Sequence, residues 1–399
     1  MDEDCRQAVQ ALRSQLIDLY ASLELDPDQP QEVARRLKLN KNLTWKISKI
    51  INAADGLSAI PHVPGAAGME ILLTCLESAG APKRYIDGVR DALDQYDETV
   101  QRHAGDRANL DLMLDSMGLV PTGVPLLTSR ELAFQGNSGI WGLQARARVA
   151  AAFVVPSPTD PNLVDTALVA GLIGLRRLRV TSGWPLFRFM EYKTGTGEFT
   201  PSAPEEIDTS RHPGDPPGLL RRFCSASMPE IETRQDGNAF ACVLPPGPIG
   251  NTGAFDCFFG DIRRGKSRYR DNADDYAEFA ASVKLPTETL IFDLIAHRSL
   301  DIPTPEVRVF GRPMGGPDDP EQRAPESLLP LAERCVELAG HPPAVATPLV
   351  PRYTELVHLV MERLGYSPRE FRGWRLLIPW PPMTSTAVLR WPLEARPNT

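Results

Sequence analysis

Apolar residues recur at helical spacing from residue 4 to residue 117, and then the rhythm breaks. Val9, Leu12, Leu16, Leu19, Tyr20 and Leu23 share one helical stripe within residues 4–24. Leu25-Asp26-Pro27-Asp28-Gln29-Pro30 interrupts that helix, and Pro30 suits the first turn of the next one, with Asp28 or Gln29 near its cap. The spacing then predicts short helices over Glu32–Leu37 and Asn42–Asn52, a turn at Lys38–Lys41, and a stop at Asp55-Gly56. Pro61–Gly68 reads as a link. Met69–Ala79, Tyr85–His103 and Asp106–Met117 read as three further helices. An all-α N-terminal domain over residues 1–118 is expected, with a boundary in Gly118–Pro125.

Beyond that boundary the pattern is mixed, and residues 119–399 read as an α+β region. Ala145–Val155 is small and apolar. Leu163–Leu175, Tyr276–Val283, Glu288–His297, Leu328–Ala339 and Tyr353–Leu364 carry helical spacing. Trp184–Tyr192, residues 239–244, residues 254–259 and Val307–Phe310 read as strands, the middle two around a Pro245–Gly250 turn. Residues 196–218, rich in Pro, Gly and acidic side chains, read as a surface loop or as a linker between two subdomains, and Gly311–Pro325 as a loop. Pro, at 38 residues against 30 Gly, argues for stiff connections and against long helices where it is dense.

The net charge of -8 disfavours a general nucleic-acid coat but leaves room for a local basic patch. Cys5, Cys75, Cys224, Cys242, Cys257 and Cys335 lie far apart without metal-ligand spacing, so reduced, mostly buried thiols in the cytoplasm are expected. The two most apolar stretches, Ala150–Pro156 and Leu168–Leu175, are much shorter than a membrane span, and no membrane association is expected. No residue reads as catalytic or as a metal ligand, and no cofactor is implied.

Residues 31–51 concentrate the chemistry. Val33 and Leu37 supply an apolar face to the first short helix, Ala34 lets a second helix pass close, and Leu39 plugs the turn. Leu43, Ile47, Ile50 and Ile51 form the inner face of the second helix, leaving Asn42, Thr44, Trp45, Lys46, Ser48 and Lys49 outside. Arg35, Arg36, Lys38, Lys41, Lys46 and Lys49 face a single acid, Glu32, in an otherwise acidic chain.

This Val-Ala-Arg-Arg-Leu helix, short turn and polar second helix resemble the helix-turn-helix of bacterial transcriptional regulators, over about residues 30–53. Lys38 stands where the family's turn usually has Gly, so a left-handed residue is expected there. The resemblance implies that Asn40, Lys41 and Asn42 open a recognition helix and meet phosphates and base edges. Thr44, Lys46 and Lys49 would follow along the groove, and Arg35 and Arg36 would touch the backbone. It also implies double-stranded DNA as partner, a homodimer, and a C-terminal region that senses a small-molecule or protein effector. The alternative for the same helix pair is a protein-interaction module.

Gly260-Asp-Ile-Arg-Arg-Gly265-Lys266-Ser267 satisfies G-x-x-x-x-G-K-[ST], the pattern of a phosphate loop, and supports a second alternative, a phosphate- or nucleotide-binding enzyme. The polar Arg268-Tyr-Arg-Asp that follows is a poor start to a buried helix, so a basic surface turn is the expected structure. Leu175-Arg176-Arg177-Leu178-Arg179 reads as a helix end whose cations offset the dipole. Asp271, Asp274 and Asp275 read as solvated acids. Phe371, Trp374, Trp380 and Trp391 read as core or groove aromatics.

Overall fold

The N-terminal periodicity folds as expected from one-sided burial. In the computed structural model, α1 (Asp2–Ser22), α2 (Pro30–Leu37), α3 (Lys41–Ile51), α4 (Gly56–Ala59), α5 (Ala66–Ser78), α6 (Lys83–Ala104) and α7 (Arg107–Ser116) follow in order. The structure describes all residues except 54, 119–123, 182, 190, 194–197, 201–204, 210, 211, 213, 237, 238, 271–275, 313–324 and 397–399. Val9, Leu12, Leu16 and Leu19 of α1 are buried with Ile86, Val89 and Tyr96 of α6 and with Ile47 and Ile50 of α3 in one core. The Asp55 carboxylate caps α4 by accepting from the amides of Leu57 and Ser58. The chain divides into two compact units, Met1–Thr128 and Ser129–Thr399, and the division falls within α8 (Val124–Trp141).

The second unit is built on a six-stranded sheet. Its strands are β1 (Leu143–Pro156), β2 (Leu163–Arg177), β8 (Phe255–Ser267), β11 (Thr287–His297), β13 (Val336–Leu338) and β14 (Phe371–Pro379), in the order β13-β14-β11-β1-β2-β8. Within it β1 and β11 run parallel and the other neighbours antiparallel. Two three-stranded sheets join it: β3 (Trp184–Phe189), β7 (Ala239–Leu244) and β6 (Glu232–Asp236), and β10 (Tyr276–Ser282), β15 (Thr386–Pro392) and β12 (Glu306–Phe310). Short pairs form between β4 (Glu191–Lys193) and β5 (Glu198–Thr200) and between β9 (Tyr269–Arg270) and β16 (Glu394–Ala395). The fold class is α+β.

Three stretches with helical spacing are strands: Leu163–Leu175 lies in β2, Tyr276–Val283 is largely β10, and Glu288–His297 lies in β11. For β2 and β11 the physical reason is burial on both faces, whereas β10 is a partly exposed strand of a small sheet. Ala147, Val149, Ala151 and Phe153 of β1 pack with Ile291 and Ile295 of β11 beneath α9 (Tyr353–Arg363). Ala150, Ala152 and Val154 pack with Leu290, Phe292 and Leu294 against the β10-β15-β12 sheet. A strand covered on both sides loses the two-residue alternation that would identify it. Leu328–Ala339 is not a helix either. Pro330 lacks the amide a helix needs, and Leu329 instead donates to the Val309 carbonyl at 2.8 Å, while Val336–Leu338 forms an edge strand.

Within residues 196–218, Glu198–Thr200 forms β5, while Glu205 and Gly218 meet the edge strand β8 of the large sheet. Ile207 is buried in the α9-side core, and Glu205 and Leu219 bridge to Ile262 and Phe259 of β8. Gly311 is described, but 313–324 of the expected Gly311–Pro325 loop lie outside the described residues, as do 119–123 of the expected boundary.

One buried ionic cluster ties α9 to the sheet. Asp293 of β11 is fully buried and accepts from Arg375 Nε at 2.8 Å, from Arg375 Nη2 at 2.7 Å and from the Tyr353 hydroxyl at 3.0 Å. Arg375 also donates to the Val345 carbonyl at 2.6 Å. A bidentate fork and a hydroxyl donor offset much of the desolvation of these charges. Asp293→Ala, which strands the Arg375 charge, is expected to lower unfolding free energy by about 3–5 kcal/mol. Tyr353→Phe is expected to cost about 1–2 kcal/mol. Urea unfolding of the full chain checks both, and an unchanged midpoint in Asp293→Ala would show that the cluster does not hold the helix.

Candidate nucleic-acid interface

The α2–turn–α3 segment is set by local chemistry. Pro30 occupies the first turn of α2, where its missing amide costs nothing, and Val33 and Ala34 are buried. Lys38 ends the helix in the left-handed conformation, φ 55° and ψ 36°, as expected at the position that usually carries Gly. Leu39 is buried and donates its amide to the Ala34 carbonyl at 2.9 Å. Asn40 caps α3, its side-chain oxygen accepting from the Asn42 amide at 2.8 Å.

Along α3 the polar and apolar residues separate cleanly, with one correction. Lys41, Asn42, Trp45, Lys46 and Lys49 fall within roughly 140° of arc at 3.6 residues per turn. Ile47, Ile50 and Ile51 are buried on the opposite arc. Thr44, expected on the outer face, lies with them. It is 1% exposed and donates its hydroxyl to the Lys41 carbonyl at 3.1 Å. Its offset of three residues from Ile47 and seven from Ile51 is the signal that places it inside. Thr44 therefore supports the helix and is not available to a ligand.

The remaining expected residues are accessible. Asn40, Lys41, Asn42 and Lys49 are exposed, and Lys46 is half-buried. Arg35 and Arg36 are exposed on α2. Arg35 pairs with Glu32 at 3.2 Å, and Arg36 donates to the Leu23 carbonyl at 3.3 Å. Glu32, the lone acid of the segment, is thus neutralised within its own helix. Trp45 is 43% exposed, with the Lys49 ammonium 5.6 Å from its ring centroid and His62 in edge contact at 5.5 Å. Burial, with Lys49, Lys46 and Arg107 nearby, lowers the His62 pKa, so the ring is neutral at pH 7. His62 lies outside the helix pair and carries no sequence signal linking it to that face.

The phosphate-loop pattern has a different structural cause. Gly260–Ser267 lies in β8, paired with β2 across Leu163–Val169, and its backbone groups belong to a ladder rather than a cradle. No helix follows it, as a phosphate loop requires, because β9 begins at Tyr269. A side chain at Gly260 would meet Ile207 at 2.6 Å and the Leu168 carbonyl at 2.9 Å. Gly265, at φ 69°, absorbs the register shift between Val164 and Thr166. The basic residues around it are paired. Arg264 bonds Glu205 at 2.7 Å and Asp165 at 2.8 Å, Arg263 bonds Asp261 at 2.8 Å, and Arg268 bonds Glu394 at 3.0 Å.

The run Leu175–Arg179 ends a strand, not a helix. Arg177 is buried and donates to the Pro245 carbonyl, and Arg179 donates to the Ile140 carbonyl. The six thiols are free and none is exposed. Burial raises Cys224 to about 11 and Cys242 and Cys335 to about 12, far from a reactive thiolate. Phe371, Trp374 and Trp391 are buried, and Trp380 packs on Phe134 with centroids 4.8 Å apart. Asp271, Asp274 and Asp275 lie outside the described residues. Among the described residues no cluster of His, Cys, Asp or Glu could hold a metal, and no single helix is long and apolar enough to cross a membrane.

No family model and no curated protein matches this chain. Among solved structures, one of a Parabacteroides distasonis protein provisionally described as a protease aligns with 62% of this chain at a TM-score of 0.27 and 5% identity. The aligned part spans 40% of that protein's length. Likeness at this level carries no inference about fold or activity.

Lys38 holds a left-handed backbone that disfavours any residue with a Cβ. Lys38→Gly is expected to stabilise the turn by about 1 kcal/mol. A higher melting temperature of the full chain checks this, and a lower one would show that the Lys38 side chain contributes more than its backbone costs.

Proposed function

We propose that this chain is a DNA-binding transcriptional regulator whose α3 enters the major groove. One observation carries the reading. Lys41, Asn42, Trp45, Lys46 and Lys49 share an accessible arc of a helix that follows a three-residue turn, with Arg35 and Arg36 exposed on the helix before it. A helix with its side chains is about 10–12 Å across, matching a major groove about 12 Å wide.

Each residue has a role suited to its chemistry. Asn42 can bond the N6 and N7 edge of adenine, and Lys46 and Lys49 can reach guanine edges or phosphates. Lys41, Asn40 and the start of α3 suit phosphate, as do Arg35 and Arg36. Trp45 offers an apolar surface to a thymine methyl and holds the Lys49 ammonium over its ring. A single short helix reads few base pairs, so a homodimer on two half-sites is the assembly we infer. Residues 129–399 then serve as the effector, dimerisation or partner region. Six free thiols support a reducing cytoplasmic setting.

The test is fluorescence anisotropy of the full chain with a pool of genomic duplex fragments over a range of salt. The wild type is expected to bind with an affinity that falls steeply as salt rises. Lys46→Ala/Lys49→Ala is expected to bind at least about tenfold more weakly, with the salt slope reduced by about 2. Absence of salt-dependent binding by the wild type at low ionic strength would overturn the reading and favour a protein-interaction module.

A further inference from the structure

A second concentration of positive charge lies in the C-terminal unit, and this one faces inward. A cavity of about 240 Å³ is lined by β1, β2 and β8 of the large sheet and by β3 and β10 of the two small sheets. Arg148 of β1 lines it. Its guanidinium donates through Nη1 to the carbonyls of Val149 and of Gly171, the latter at 3.2 Å, and rests 5.6 Å from the Phe187 ring centroid. Among the described residues no carboxylate pairs with it. Arg148 is half-buried, and burial pushes its pKa down to about 10.

A charge in this position is costly unless something balances it. The guanidinium has five N–H donors, and two carbonyls do not neutralise it. The neighbours make the imbalance larger. Lys284, in the turn between β10 and β11, also lines the cavity, and its pKa is lowered by burial and by the adjacent charges of Arg188 and Arg148. Asp261 is the carboxylate in the lining, and it is already engaged by Arg263 at 2.8 Å. The remaining walls include Leu168, Leu172, Leu186, Phe187 and Phe259.

We infer that this cavity is a binding site for a small organic anion, its phosphate or carboxylate head on Arg148 and Lys284 and its apolar body against Phe187 and Phe259. The anion supplies the countercharge that the described protein groups do not. The aromatic and aliphatic walls set the second half of the recognition, since an inorganic ion would leave them wet. The inference rests on the interior of the C-terminal unit and is independent of whether α3 binds DNA.

The test is isothermal titration calorimetry of the full chain with phenyl phosphate, benzoate and inorganic phosphate, at ionic strength held constant with sodium chloride. Saturable binding of one equivalent is expected for at least one of the two aromatic anions, tighter than for inorganic phosphate. Whether phenyl phosphate or benzoate binds better assigns the head group. Lys284→Ala, at a turn position, is expected to keep the wild-type melting temperature and to weaken binding about tenfold or more. Arg148→Met is expected to abolish binding, and Lys284→Ala decides the matter if that variant fails to fold. Lack of saturation by either aromatic anion in the millimolar range, or an affinity unchanged in Lys284→Ala, would overturn the inference.

Discussion

From Val149 to Val155 strand β1 has no solvent face, and the organisation of the C-terminal unit follows from that constraint. It sits between β11 on one side and β2 on the other, with α9 packed over one surface and the β10-β15-β12 sheet over the opposite one. Small residues at Ala147, Ala150, Ala151 and Ala152 let both layers approach closely. Where the backbone is in a ladder and the side chains are enclosed, as over Val149–Val155, a polar group needs a specific reason to be there. Asp293 on the neighbouring β11 has one, since Arg375 and Tyr353 satisfy it and thereby fasten α9. Among the described residues Arg148 on β1 meets two carbonyls and the Phe187 ring but no carboxylate, which is why the cavity above it stands out from the rest of the core.

The N-terminal unit obeys a simpler rule. Each helix buries one stripe, and what remains outside is decided by that burial. On α3 the inner stripe takes Thr44 along with Ile47, Ile50 and Ile51, which rotates the accessible face toward Trp45 and leaves Lys41, Asn42, Lys46 and Lys49 together on it. The turn that precedes α3 is held by a backbone conformation that lysine tolerates only because Leu39 is anchored in the core and Asn40 caps the next helix. Cations gathered on one face of an otherwise acidic chain make a local positive potential there.

The two halves were unequally legible. The helices of the first unit could be read within a few residues because each exposes one face, so the 3.6-residue period survives in the sequence. Pro30 and Lys38 marked the start of α2 and the turn after it for the same local reason, while the capping role of Asn40 emerged from the structure. In the second unit Leu163–Leu175 and Glu288–His297 mimic helices because strands enclosed on both faces are apolar throughout. The Gly260–Ser267 pattern shows a further limit. Its two glycines are required by the close approach of Leu168 and Ile207 and by a register shift, neither of which a linear pattern distinguishes from a phosphate cradle.

Residue order alone determined the helical first unit, the short helix pair within it, the concentration of cations there and the α+β character of the remainder. These are properties of neighbours along the chain: helical period, turn chemistry and local charge. Only the tertiary structure decided that the basic cluster around Arg264 is consumed by Asp165 and Glu205, and that Arg148 and Lys284 line one cavity. Such facts depend on contacts between segments roughly a hundred residues apart. Burial and pairing across that distance leave no period for a linear reading to detect.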